Sequence, residues 1–168
     1  MKFRATVTTV SLIMAAMVSL PTFSQNVPQP AAEIAPQQAA QVSLASSMVA
    51  NGGTTAELTS VVKSGNRVTV KVRFVETDPG VSGLYMLYPS LDDKAYENDF
   101  YLLAGDKKYL LLKDSAGKPL APGKVQLRSS GKVRGVWYGT FPAPPDNESV
   151  MLFIPNIEPL GPFPISGQ

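Results

Sequence analysis

The chain has 168 residues, with 15 Lys plus Arg against 13 Asp plus Glu and a formal net charge of +2. It contains no histidine and no cysteine, which excludes Ser-His-Asp and Cys-His catalysis, thiol redox chemistry, disulfides and the usual ligand sets of zinc. An acylated lipoprotein cysteine is excluded too, and only carboxylates, lysines, tyrosines and hydroxyls remain for chemistry.

The first residues read as a secretory signal peptide, residues 1–24. Lys2 and Arg4 form a basic start, and Val10 to Leu20 is apolar apart from Ser11 and Ser19. Pro21 ends that run, and Thr22-Phe23-Ser24 offers small residues for cleavage after Ser24. The run falls short of the roughly 20 residues a membrane anchor needs. Removing residues 1–24 takes away two basic residues and no acidic one, leaving 13 of each sign. A neutral chain without a basic run offers no electrostatic footprint for nucleic acid or an anionic membrane. The expected location is the periplasm, with secretion as the alternative.

Residues 25–54 differ from everything after them. They are rich in Ala, Gln, Pro, Ser and Asn, with Glu33 as the only charge. Pro28, Pro30 and Pro36 favour extended backbone, so a disordered linker is expected, serving as a tether or as a recognition peptide. Val42 to Ala50 has the composition for a transient helical turn, which Asn51-Gly52-Gly53 would end.

The remainder is punctuated like an all-β domain. Glu57 to Val62 is the first expected strand, followed by a tight turn at Ser64-Gly65-Asn66. Arg67 to Phe74 is the clearest signal: Val68, Val70, Val72 and Phe74 alternate with Arg67, Thr69, Lys71 and Arg73. A period of two means one buried face and one wet face. Burying those four apolar side chains contributes about 6–12 kcal/mol before chain entropy is set against it. Gly83 to Tyr88 is a further strand, bounded by Asp78-Pro79-Gly80 and Pro89. Asp99 to Leu103 and Lys108 to Lys113 read as a hairpin around Ala104-Gly105-Asp106-Lys107. Asp114 to Gly123 is a turn-rich connection. Lys124 to Arg128 and Lys132 to Phe141 read as another pair around Ser129-Ser130-Gly131, and Ser149 to Ile154 as a last strand before a proline-rich tail. No segment of the domain carries a helical period. The expectation for residues 55–168 is an antiparallel β-sandwich of about seven or eight strands.

The order of short motifs in the C-terminal half is informative. Phe100-Tyr101-Leu102-Leu103 leads to Gly105-Asp106-Lys107-Lys108-Tyr109 and Leu112-Lys113-Asp114-Ser115-Ala116-Gly117-Lys118-Pro119-Leu120. Then come Val136-Trp137-Tyr138-Gly139-Thr140-Phe141-Pro142, Ile154-Pro155-Asn156-Ile157-Glu158-Pro159 and Phe163-Pro164-Ile165. This succession resembles a group of exported bacterial immunoglobulin-like domains that occur alone or beside cell-wall-associated modules. The resemblance implies an immunoglobulin-like fold and an envelope location; it transfers no catalytic residue.

Motif-level chemistry is thin. Ser115-Ala116-Gly117-Lys118 matches S-x-x-K, but that chemistry needs the Ser at the start of a buried helix, and here Gly and Pro surround it. Gly117 to Gly123-Lys124 has one residue too many for a phosphate loop, and Val125 stands where Ser or Thr would hold magnesium. Asp92, Asp93, Glu97 and Asp99 form the best metal candidate, either a solvated acidic loop or a weak calcium site. Trp137 lies between Gly135 and Gly139 at period two, which suits a core indole with space beside it. The other reading is an exposed platform for a sugar ring, joined by Tyr138, Tyr101 and Tyr96, with Tyr85, Tyr88 and Tyr109 as further members. The proline-rich stretches 141–145 and 155–164 either cap sheet edges or dock a partner. Together these features predict a non-catalytic binding or structural module of the bacterial envelope without a cofactor. An envelope protein is the expected partner, and a cell-wall glycan the alternative.

Overall fold

The computed structural model describes residues 43–129 and 131–165. The expected signal peptide and residues 25–42 of the expected linker lie outside the described residues.

The core strand pattern produces a pair of long strands. β2 (Thr54–Ser64) and β3 (Arg67–Glu76) are joined at the expected turn, where Gly65 takes φ 60°. Val68, Val70, Val72 and Phe74 are buried, while Arg67, Thr69, Lys71 and Arg73 face outward. A bulge between Leu58 and Ser60 adds one residue to β2. It shifts the alternation, so Val61 continues the inner face and Val62 ends up exposed. Flanking these are β1 (Ala45–Met48) and β8 (Val133–Pro142), giving a sheet in the order β1-β2-β3-β8.

A second sheet runs β10-β9-β5-β6. It consists of β5 (Tyr101–Ala104), β6 (Lys107–Leu110), β9 (Ser149–Phe153) and β10 (Leu160–Pro164). β4 (Leu84–Tyr88) and β7 (Val125–Arg128) form a separate two-stranded sheet. Every ladder is antiparallel. The protein is an all-β sandwich, with one buried cluster built from inward residues of all three sheets.

Backbone hydrogen bonds stitch the two larger sheets together at both seams. On one side Val49 bridges Ile157, and the Glu158 N–H donates to the Met48 carbonyl at 3.0 Å. On the other, the Leu112 N–H donates to the Thr140 carbonyl at 2.8 Å, and the Thr140 N–H donates to the Leu120 carbonyl at 3.1 Å.

Four expectations are corrected. β1 forms where a helical turn was expected, so sheet pairing begins at Ala45, inside the segment read as linker. The strands around residues 129–131 are not a pair: β7 joins β4, and β8 joins β3. The connection divides because Ser129 is tied to Gly83 while the Glu76 N–H holds the Lys132 carbonyl at 2.8 Å. A short helix, α1 (Asp93–Asn98), replaces the acidic loop, with the Asp92 carboxylate accepting the Ala95 N–H at its start. The proline-rich tail contributes β10, whose prolines sit on an edge strand, where a missing N–H is tolerated.

Candidate ligand-binding surface

Trp137 faces inward. It is 1% exposed, which takes it off any ligand platform. Its indole N–H donates to the Tyr88 hydroxyl at 3.0 Å, and that hydroxyl donates to the Pro122 carbonyl at 2.6 Å. Phe100 meets Tyr88 edge-on at 4.9 Å and stacks toward Trp137 at 6.5 Å, and the Phe141 ring lies 6.5 Å from the indole at a tilt of 43°. Burial pushes the Tyr88 phenol well above the ordinary tyrosine range, against the opposing effect of the Trp137 hydrogen bond. Gly139 supplies the space for the indole: a Cβ there would collide with the Trp137 ring and stand 2.9 Å from Leu111 Cδ2. Gly135 does a different job. It admits Leu127 of β7, whose Cδ2 lies 2.9 Å from where a Cβ would sit.

The other three expected platform residues do not converge. Tyr138 is half exposed on the outer face of β8, on the opposite side of the sheet from the Trp137 ring. Tyr101 lies on the outer face of the second sheet and stacks on Phe153 at 4.5 Å, with planes 12° apart. Tyr96 belongs to α1, and its hydroxyl donates to the Leu111 carbonyl at 2.8 Å. Burial first, and the neighbouring Glu97 charge second, push its phenol upward.

What the sequence did not single out is the set of lysines beside these rings. Lys108 Nζ stands 4.1 Å from the Tyr101 ring centre, Lys113 Nζ 4.0 Å from that of Tyr96, and Lys107 Nζ 5.0 Å from that of Tyr109. Each contact contributes about 0.5–1 kcal/mol at an exposed site and, more to the point, holds an ammonium in place. Lys107, Lys108, Tyr109, Lys113, Tyr96 and Pro142 line an open groove of about 410 Å³ along β6. Hairpin register carried the signal for one of these pairs. Leu103 pairs with Lys108 and Tyr101 with Leu110, so Lys108 and Tyr101 are diagonal neighbours on one face.

A second unforeseen group is Arg134, buried at the bulged end of β8. It donates to the Glu76 carboxylate at 2.7 Å and to the Val81 carbonyl at 2.6 Å, pinning the 78–81 loop. The acidic cluster does not close on a cation site. Asp92 caps α1, Asp93 lies 4.0 Å from Lys113, and no group of three or more acidic side chains converges among the described residues. Ser115 to Lys118 is a turn in which the Asp114 carboxylate accepts the N–H groups of Ala116 and Lys118, so the S-x-x-K helix is not formed.

Fold and surface together define an all-β antiparallel domain with a basic-aromatic groove. No family model, curated protein or solved structure matches the chain.

Proposed function

We propose that this protein is a non-catalytic binding module of the bacterial cell envelope, exported to the periplasm and acting through protein interaction. The observation that carries the reading is the outer face of β8. Val136 is 66% exposed and Tyr138 50%, side by side on an edge strand of the four-stranded sheet. Adjacent exposed apolar side chains on a sheet edge are the surface chemistry of protein contact. The envelope assignment draws on Lys2, Arg4 and the apolar run from Val10 to Leu20. The glycan alternative loses its strongest member with Trp137 in the core, and Tyr96, Tyr101 and Tyr109 each carry a lysine ammonium over the ring.

Site-specific photo-crosslinking in the periplasm tests this. A crosslinker at Val136 should yield a discrete protein adduct, while one at exposed Lys124 should not. Absence of any protein adduct, together with cosedimentation with a protein-free cell-wall fraction, would overturn it.

A further inference from the structure

The lysine-tyrosine groove follows an unpaired strand edge. β6 is the terminal strand of its sheet and, among the described residues, pairs only with β5. The two-residue turn at Gly105-Asp106 makes Ala104 and Lys107 a hydrogen-bonded pair, as are Leu102 and Tyr109, two residues along. The backbone groups of Lys108 and Leu110 therefore point away from β5. Leu112, two residues further, confirms that direction: its N–H reaches the Thr140 carbonyl and its own carbonyl accepts from Leu120. The seam between the sheets is thus closed at Leu112 and opens along Lys108 and Leu110 into the groove. Pro142 lines the groove too, and its nitrogen has no hydrogen to offer.

Charge selects the occupant. Lys107 and Lys108 have no carboxylate within ion-pair distance among the described residues, and the only one near Lys113 is Asp93, at 4.0 Å. A second copy of β6 would set lysines against lysines, the arrangement that guards natural sheet edges from self-pairing. The tyrosine rings each already carry an ammonium, so the groove presents fixed cations beside a row of backbone donors and acceptors.

We propose that the β6 edge binds an extended acidic polypeptide segment, which adds as a strand along Lys108 and Leu110 while its carboxylates meet Lys108 on one face of the strand or, one residue out of register, Lys107 on the other. Main-chain hydrogen bonds supply affinity and the lysines select acidic side chains. The proposal rests on the preceding reading only in taking the partner to be a polypeptide, and it concerns a different surface.

The test is a titration of the full mature chain with a short synthetic peptide of alternating Val and Glu, followed by backbone amide NMR. The amides of Lys108 and Leu110 should shift and become protected from hydrogen exchange. A Lys107→Glu/Lys108→Glu variant should bind on the order of fivefold more weakly or worse, with the rest of its spectrum unchanged, whereas Lys124→Glu should bind as the parent does. A peptide N-methylated at alternate residues should lose binding. Equal binding of an alternating Val-Lys peptide, retained binding of the N-methylated peptide, or identical shifts from a uronate oligosaccharide would each overturn the proposal. Failure of crosslinking at Val136 with these shifts intact would count against the β8 face alone.

Discussion

The molecule holds two aromatic groups that look alike in the sequence and have opposite fates. Around Trp137, the rings of Tyr88, Phe100 and Phe141 are buried, and the polar atoms of Trp137 and Tyr88 are consumed in one chain of hydrogen bonds. Around β6, Tyr96, Tyr101 and Tyr109 are only half-buried, and each carries a lysine ammonium over its ring. The first group stabilises the sandwich. The second fixes cations at a surface. Aromatic content alone therefore says little about ligand recognition; which neighbour covers the ring decides.

The largest way to break this comparison is through the core strand that both groups depend on. Val70 is fully buried opposite Gly139 and beside Val61. Val70→Asp places a charge where no partner stands, at a cost of several kcal/mol out of a typical 5–15 for a whole domain. Loss of a cooperative thermal transition is expected, and unchanged melting would refute the assignment. Next comes Trp137→Ala, which should cost about 3–5 kcal/mol, against about 1 kcal/mol or less for Tyr101→Ala, as measured by urea unfolding. Equal losses at both sites would erase the distinction. Glu76→Ala, which leaves the Arg134 guanidinium buried with only backbone carbonyls, should cost about 3 kcal/mol.

A smaller effect follows from Tyr88. Its folded-state phenol is pushed above the unfolded value of about 10, so the folded state holds that proton more tightly. The resulting stability is complete below about pH 10 and is lost as pH rises beyond it, because the unfolded chain releases the proton first. Tyr88→Phe should flatten the decline above pH 10 in a series of thermal melts; an unchanged slope would remove Tyr88 as its source.

The strands with alternating or continuous apolar residues were legible, β3 above all, because inward Val and Phe leave a period of two in the sequence. The missed elements lack that imprint for physical reasons. β1 is Ala45-Ser46-Ser47-Met48 and has almost nothing to bury; it forms because β2 is 11 residues long and offers a free edge. β10 contains Gly161, Pro162 and Pro164, and its ladder with β9 is irregular between Leu160 and Phe163, so breakers mask a strand held by those two buried side chains. α1 has six residues, too few to show a helical period, and its cap at Asp92 reads as acidic loop without the fold around it.

At the site, the inward orientation of Trp137 followed from its strand, and its glycine neighbour Gly139 had the expected role. Gly135 did not, since it makes room for a strand of another sheet. The lysine-ring pairs depended on hairpin register and on α1 packing near Lys113, neither of which single-residue patterns express. Arg134 was hidden for a similar reason. An arginine on an outward-facing register is ordinary until a bulge turns it toward Glu76 and the 78–81 loop.

The central claim is that Trp137 belongs to the core, apart from the proposed acidic-peptide site at the lysine-lined edge of β6. Trp137 is the sole tryptophan, so its fluorescence reports on this claim directly. Emission should be blue-shifted, resistant to acrylamide and unchanged when the acidic peptide is added to saturation. A red-shifted, readily quenched emission, or one that titrates with the peptide, would contradict the account.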